Sequence, residues 1–257
     1  MRTRQWLQAA VMLLLGLYLL ETLLTGEVAY YINERFNWLA LLAGFILIVF
    51  GVVQTVYLVS TAETLPSERT KSTNAPRNLM LSAKTTHVGT SSWLVIGMVS
   101  IPVVLGIFIP ARPLGAAAIN GGIATSLNVS AASDQQFSIA PEQRNVLDWV
   151  RAFSAAASPE EFNGQPADLI GFVYRDVRFD EGNQFMVTRF TVQCCVADAL
   201  PIGVVVSAKD ASQLAQDSWV RVRGTFEVRQ FDGHEMPILI AQSIEPTEMP
   251  ERPYLFP

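Results

Sequence analysis

Two adjacent cysteines, Cys194 and Cys195, are the only thiols in the chain, and Asp198 follows close behind them. Thiolate, carboxylate and imidazole are all ligands for a soft divalent metal such as zinc, and His234, on the predicted connection between the last two strands, is the imidazole available on this part of the chain. Cys194, Cys195, Asp198 and His234 are therefore the candidate metal or thiol site, and a divalent metal is the one cofactor the sequence invites. Two other readings compete with it. Successive residues of a regular strand point to opposite faces, so both thiols reach one ion only at a bulge or turn. On an undisturbed strand Cys194 is a small buried hydrophobe and Cys195 a surface residue. Thiol redox chemistry, including a vicinal disulfide, is the remaining alternative. Two cysteines cannot make a disulfide framework, so a folded domain here needs its own core.

Other chemistry is sparse. There is no Gly-rich phosphate loop, no His-Glu-x-x-His and no Gly-x-Ser-x-Gly. The histidines, His87 and His234, fall on opposite sides of the membrane in the predicted topology, and Asp176, Asp180 and Glu181 surround Gly182-Asn183 as turn residues. The chain is not expected to be an enzyme.

The elements that must position these residues divide at about Pro110. Before it stand 7 Lys/Arg and 5 Asp/Glu, after it 11 and 18, so the halves carry +2 and −7. The acidic half is a poor partner for nucleic acid. The first half holds three apolar runs, at 6–24, 38–60 and 93–109, which read as transmembrane helices across a hydrocarbon core ~30 Å thick. Gln54 is the notable polar residue inside the second, with a bond to a neighbouring helix or to its own backbone, and Pro102 should kink the third, as a matter of helix packing ahead of the alternative, the shaping of a permeation path. Arg2 and Arg4 precede the first helix, and Arg69, Lys71, Arg77 and Lys84 lie between the second and third, so both segments should be cytoplasmic. Three crossings then leave the C-terminal half outside.

Residues 111–140, rich in Ala, Gly, Ser and Asn, read as a flexible linker, with an Asn128-Val129-Ser130 sequon that matters only in a glycosylating host. From Pro141 a helix is expected to about Ala156, then a short one capped by Ser158. Beyond Gly164 the period becomes two. Met186, Thr188, Phe190, Val192, Cys194 and Val196 share one face of a strand, with Arg189 and Cys195 on the other. On a later strand Val220, Val222, Gly224, Phe226 and Val228 face inward, with Arg221, Arg223 and Glu227 outward. With strands at 168–175, 203–208 and 237–244 and a helix at 210–216, the order β-β-β-α-β-β predicts an all-β, OB-fold-like barrel over residues 141–257 with a short helical N-terminal extension.

Several segments occur together in order: Tyr30-Tyr31-Ile32-Asn33-Glu34-Arg35-Phe36, Gly171-Phe172-Val173-Tyr174-Arg175, Arg189 to Ala199 with its Cys-Cys-x-Ala-Asp-Ala stretch, Trp219 to Gly224, and Pro253-Tyr254-Leu255. With these segments the chain resembles the YcgQ-like family of permease subunits over most of its length. The resemblance implies a small multi-pass protein of the cell membrane with an extracytoplasmic C-terminal domain. It also implies a non-catalytic role beside a larger multi-helix permease, and it leaves the solute unnamed. The alternative is a free-standing envelope protein that binds a metal or other ligand through the Cys-Cys-x-Ala-Asp stretch.

Overall fold

A computed structural model describes residues 2–63, 91–119, 123–125, 139–179 and 183–257. The basic segment with Arg69, Lys71, Arg77, Lys84 and His87, the Asn128 sequon, and Asp180 to Gly182 lie outside the described residues.

The chain divides into two units, one of residues 1–28 and 36–111, the other of residues 29–35 and 112–257. The first holds α1 (Arg2–Thr25), α2 (Asn37–Glu63) and α3 (Ser91–Phe108). Among the described residues two stretches, Thr3–Thr25 and Glu34–Thr61, are long and apolar enough to cross a membrane. α1 and α2 approach at glycines: a Cβ on Gly16 would stand 2.7 Å from Ile48, and one on Gly51 2.7 Å from Leu13. Small residues allow such contact where no water drives helices together. Gln54 resolves its two alternatives by donating Nε2–H to the Gln5 carbonyl of the neighbouring helix at 3.3 Å. α3 carries Pro102 in its interior, and its Gly106 lies against the ring of Tyr18. Leu14, Leu17, Phe45, Phe50 and Val53 are exposed, a surface suited to hydrocarbon rather than water.

In the second unit, six strands form one sheet: β1 (Pro166–Tyr174), β2 (Gln184–Thr191), β3 (Leu200–Ser207), β4 (Trp219–Phe231), β5 (His234–Pro246) and the short β6 (Tyr254–Leu255). Their order is β1-β4-β5-β3-β2-β6, with β1 also paired to β2, so the first five strands close on themselves. That closure, with β3 and β5 parallel and the other barrel pairs antiparallel, is the connectivity of an OB barrel. It turns at Gly171 and Phe172, where β1 passes from β4 to β2. A Cβ on Gly171 would stand 2.6 Å from the Thr188 carbonyl, so a side chain would hold the strands apart. A register shift at Arg223/Gly224 bends β4, and there too the backbone of β5 comes so close that only glycine fits.

The core follows the alternation expected for β4: Val220, Val222 and Phe226 are buried, while Arg221 and Arg223 lean outward to Asp168 at 2.7 and 3.1 Å. α4 (Val146–Ala155) packs on the barrel, with Trp149 wedged against Phe226, Phe162 and Phe153. This helix is shorter than expected. Pro141 opens only a 3-10 turn, and α4 starts where Asn145 accepts from the Leu147 and Asp148 N–H groups while Asp148 accepts from the Asn145 N–H. The helix expected at 210–216 is likewise reduced to a 3-10 turn at Ala211–Gln213.

The expected linker 111–140 is corrected in part. Leu114 donates its N–H to the Tyr254 hydroxyl, Ile123 is buried, and Ala124 bridges Ile202 in parallel. A few apolar residues without a period sufficed, because the barrel supplied their partners.

Arg189 is the least expected core residue. It is 7% exposed, donates to the carbonyls of Pro253 at 2.8 Å, Arg252 at 2.6 Å and Ile170 at 3.3 Å, and lies over the Trp219 ring. Burial lowers its pKa to about 10, so it stays charged at neutral pH. Replacing it with Met keeps the bulk but strands three carbonyls; we expect a loss of about 2–3 kcal/mol, read by urea denaturation, and faster carboxypeptidase trimming. An undiminished urea midpoint would contradict this role. Strand phase is tested separately: Val222→Asp buries a lone carboxylate and should cost about 3 kcal/mol or more. Arg221→Gln, at an exposed ion pair, should leave the midpoint near wild type. Equal effects would refute the phase.

Candidate functional site

β2 ends at Thr191, and the expected strand does not continue to Val196. Asp198 causes the break. Its Oδ1 accepts the Gln193 N–H at 2.7 Å, and its Oδ2 accepts those of Cys194 at 2.7 Å and Cys195 at 3.2 Å. Three consecutive N–H groups gathered on one carboxylate cannot belong to an extended strand, so the chain turns and enters a 3-10 turn at Val196–Asp198. The inward Cys194 and outward Cys195 of the sequence reading are therefore corrected: Cys194 is exposed and Cys195 half-buried, and both are free thiols. Their Sγ atoms are 3.7 Å apart.

The loop is held from outside by the segment between α1 and α2. Asn33 donates its N–H to the Cys194 carbonyl and its Nδ2–H to that of Gln193, both at 3.0 Å, and Val196 donates to the Tyr31 carbonyl at 2.9 Å. Ile32 and Cys195 thus pair as a small antiparallel bridge. Glu34 is bound to Arg252 at 2.7 Å, and the Tyr254 hydroxyl donates to the Tyr30 carbonyl at 3.3 Å. Sequence reasoning gave Asn33 and Tyr254 no role beyond their place in the resemblance. The available signal was a polar Asn-Glu-Arg interruption between two apolar runs, too short to show a partner.

Cys194, Cys195 and Asp198 bring their ligand atoms within 4.8 Å of one another. His234 is not with them. It opens β5 opposite Phe231 and lines an open groove of about 480 Å³ with Arg178, Phe153 and Phe162. Gln54 and Pro102 belong to the helical unit, where Gln54 bonds to the Gln5 carbonyl of α1 and Pro102 is exposed within α3.

The electrostatics of the loop follow from Asp198. The Cys194 thiol and the backbone N–H groups of Cys194 and Gln193 hold its carboxyl down at about 2, while the same carboxylate and the Cys195 thiol push Cys194 up to about 11. A lowered acid stabilises the loop above its ordinary value near 4 and loses that contribution as pH falls toward 2. A raised thiol stabilises it below its ordinary value near 9 and loses that contribution as pH climbs toward 11. Cys194 is thus a protonated thiol at neutral pH, unlike an activated redox cysteine. Its alkylation by iodoacetamide, followed by mass spectrometry under a chelator, should rise with a midpoint near 11, and Asp198→Asn should bring that midpoint down. A wild-type midpoint at or below the ordinary thiol value near 9 would overturn this account.

A closed OB-type barrel joined to long apolar helices defines a membrane-associated protein with a β domain. The chain belongs to the DUF1980 family, whose N-terminal domain matches residues 7–122 and whose C-terminal domain matches residues 125–257. It is 25% identical over 100 residues to the UPF0703 protein YcgQ of Bacillus subtilis (strain 168), covering 38% of this chain and 35% of that one. It is 28% identical over 100 residues to a Streptococcus mutans protein provisionally named as a two-component membrane permease complex subunit, covering 38% and 36%. The match thus spans about a third of the length of these curated relatives. Among solved structures, a small single-stranded DNA-binding protein from Streptomyces coelicolor aligns with 33% of this chain and 95% of its own, at 16% identity and a TM-score of 0.23. The OB assignment rests on strand order and closure rather than on that alignment.

Proposed function

We propose that this protein is a non-catalytic accessory subunit of a membrane permease complex, with three crossings and its OB-type domain outside the cytoplasm. The observation that carries the reading is the pairing of Tyr31 and Asn33 with the Gln193–Val196 loop. The segment between α1 and α2 and the C-terminal domain must share one side of the bilayer for these bonds to form. Two helices separate them, which supports the reading that α2 and α3 both cross, with the 18-residue α3 as a third span. The basic residues predicted to be cytoplasmic support a domain on the outer side.

A partner is required because the described helices offer little with which to build a polar path: Gln54 is spent on the Gln5 carbonyl. The name of the Streptococcus mutans relative supports a complex of this kind. Nucleic acid is disfavoured as a partner, since Arg221 and Arg223 are already paired with Asp168 and the half-chain is acidic.

Purification from the native host in mild detergent, after cross-linking, should recover a multi-helix membrane protein with this chain. A C-terminal reporter active only in the cytoplasm should stay silent. Repeated recovery of the chain alone would sink the subunit reading and leave a free-standing envelope binding protein, for which the Cys194–Asp198 loop is the motivating feature. A strong reporter signal would reject the topology.

A further inference from the structure

We infer that Cys194, Cys195 and Asp198 form a surface site for one thiophilic divalent cation, of the class of zinc, with an open fourth position. This inference does not rest on the permease reading. Two thiolates at about 2.3 Å from a tetrahedral zinc stand roughly 3.8 Å apart, and the Sγ atoms of Cys194 and Cys195 are 3.7 Å apart. A carboxylate oxygen at about 2.1 Å from the same ion lies roughly 3.6 Å from each sulfur, and all three ligand atoms here lie within 4.8 Å of one another. The loop therefore closes on an ion with side-chain adjustments below about 1.5 Å, a fraction of what a rotamer change supplies.

The feature that forbade such a site on a regular strand is removed by the backbone itself. Asp198 turns Gln193, Cys194 and Cys195 onto one carboxylate, and in the resulting loop the two Sγ atoms come within 3.7 Å of each other. Asp198 Oδ1 accepts a single backbone bond and keeps a lone pair for a metal, while Oδ2 holds the turn. Asn33 and Tyr31 fix the loop from the other strand of the small bridge, so the ligands are arranged before an ion arrives.

Binding replaces two thiol protons. The cation takes both thiolates and the carboxylate, two protons go to solvent, and no electron moves. Cys194 is exposed, so the fourth position faces water or a donor from another molecule. Three protein ligands with one open position suit an ion that is taken up and handed on, whereas structural zinc sites fill all four positions from the protein. His234, in its groove at the start of β5, is not needed.

The probe is Co²⁺ added to the reduced full-length protein in detergent, followed by displacement with Zn²⁺. We expect one ion per chain, a sulfur-to-cobalt charge-transfer band in the near ultraviolet, loss of that band on adding zinc, and loss of one-to-one uptake in the Cys194→Ser/Cys195→Ser variant. A second readout needs no variant: one equivalent of Zn²⁺ should slow the alkylation of both cysteines in the wild-type chain. Absence of stoichiometric uptake, uptake unchanged in the double variant, or alkylation of either thiol at an unaltered rate would each overturn the site. Co-purification of a permease has no bearing on these readouts, so the two proposals fail separately.

Discussion

The C-terminal half depends on one buried cation. Arg189 sits in β2 and reaches the carbonyls of Ile170, Arg252 and Pro253, which joins the middle of the barrel to the last residues of the chain. Its positive charge is solvated by carbonyl dipoles and by the face of Trp219 rather than by a carboxylate. From Arg189 the order propagates outward. Pro253 fixes Tyr254, whose hydroxyl accepts from Leu114 and donates to Tyr30, and Leu255 accepts the N–H of Val192 just where β2 ends. The loop with the thiols begins at the next residue. The tail therefore works as a clasp that gathers the segment between the first two helices, the segment that follows Ala111 and the root of the Gln193–Asp198 loop.

Asp198 plays the complementary part on the surface. A side chain that accepts three N–H groups defines a loop more sharply than hydrophobic contact can, because each bond has a direction. Its position behind two cysteines gives it two roles at once: it ends the strand, and it keeps the nearest thiol protonated.

The barrel was legible because its signals are local. Alternation along β4 gave the correct inward set through Phe226, and the run of strands gave the OB order, since a half-buried strand writes its burial into every second residue. The errors lie where burial comes from a partner far along the chain. Alternation along β2 was extended to Val196, yet from Phe185 to Thr191 both faces are buried and beyond Val192 a carboxylate outweighs the pattern. Arg189 looked like one member of the opposite face because the carbonyls that solvate it are on β1 and the tail. The thiols were singled out by type, but their convergence required the turn that Asp198 builds. Asp198 accepts the Cys195 N–H from the third position of the 3-10 turn, an arrangement that exists only once the turn is built. His234 was drawn in by its chemistry alone, and nothing in a one-dimensional reading separates the β4–β5 hairpin from the β2–β3 connection.

The union of Tyr30 with Tyr254 also sets a schedule. These residues are 224 positions apart, so a ribosome working at about 5–20 residues per second needs roughly 10–45 s to make the second after the first. Asn33 finds its partners in the Gln193–Val196 loop 160 positions on, but until Tyr254 is made the Tyr30 carbonyl lacks its hydroxyl. Insertion of the helices and docking of the segment are thus separate events in the life of the chain. The second is completed only when Tyr254 has been made and its hydroxyl binds the Tyr30 carbonyl.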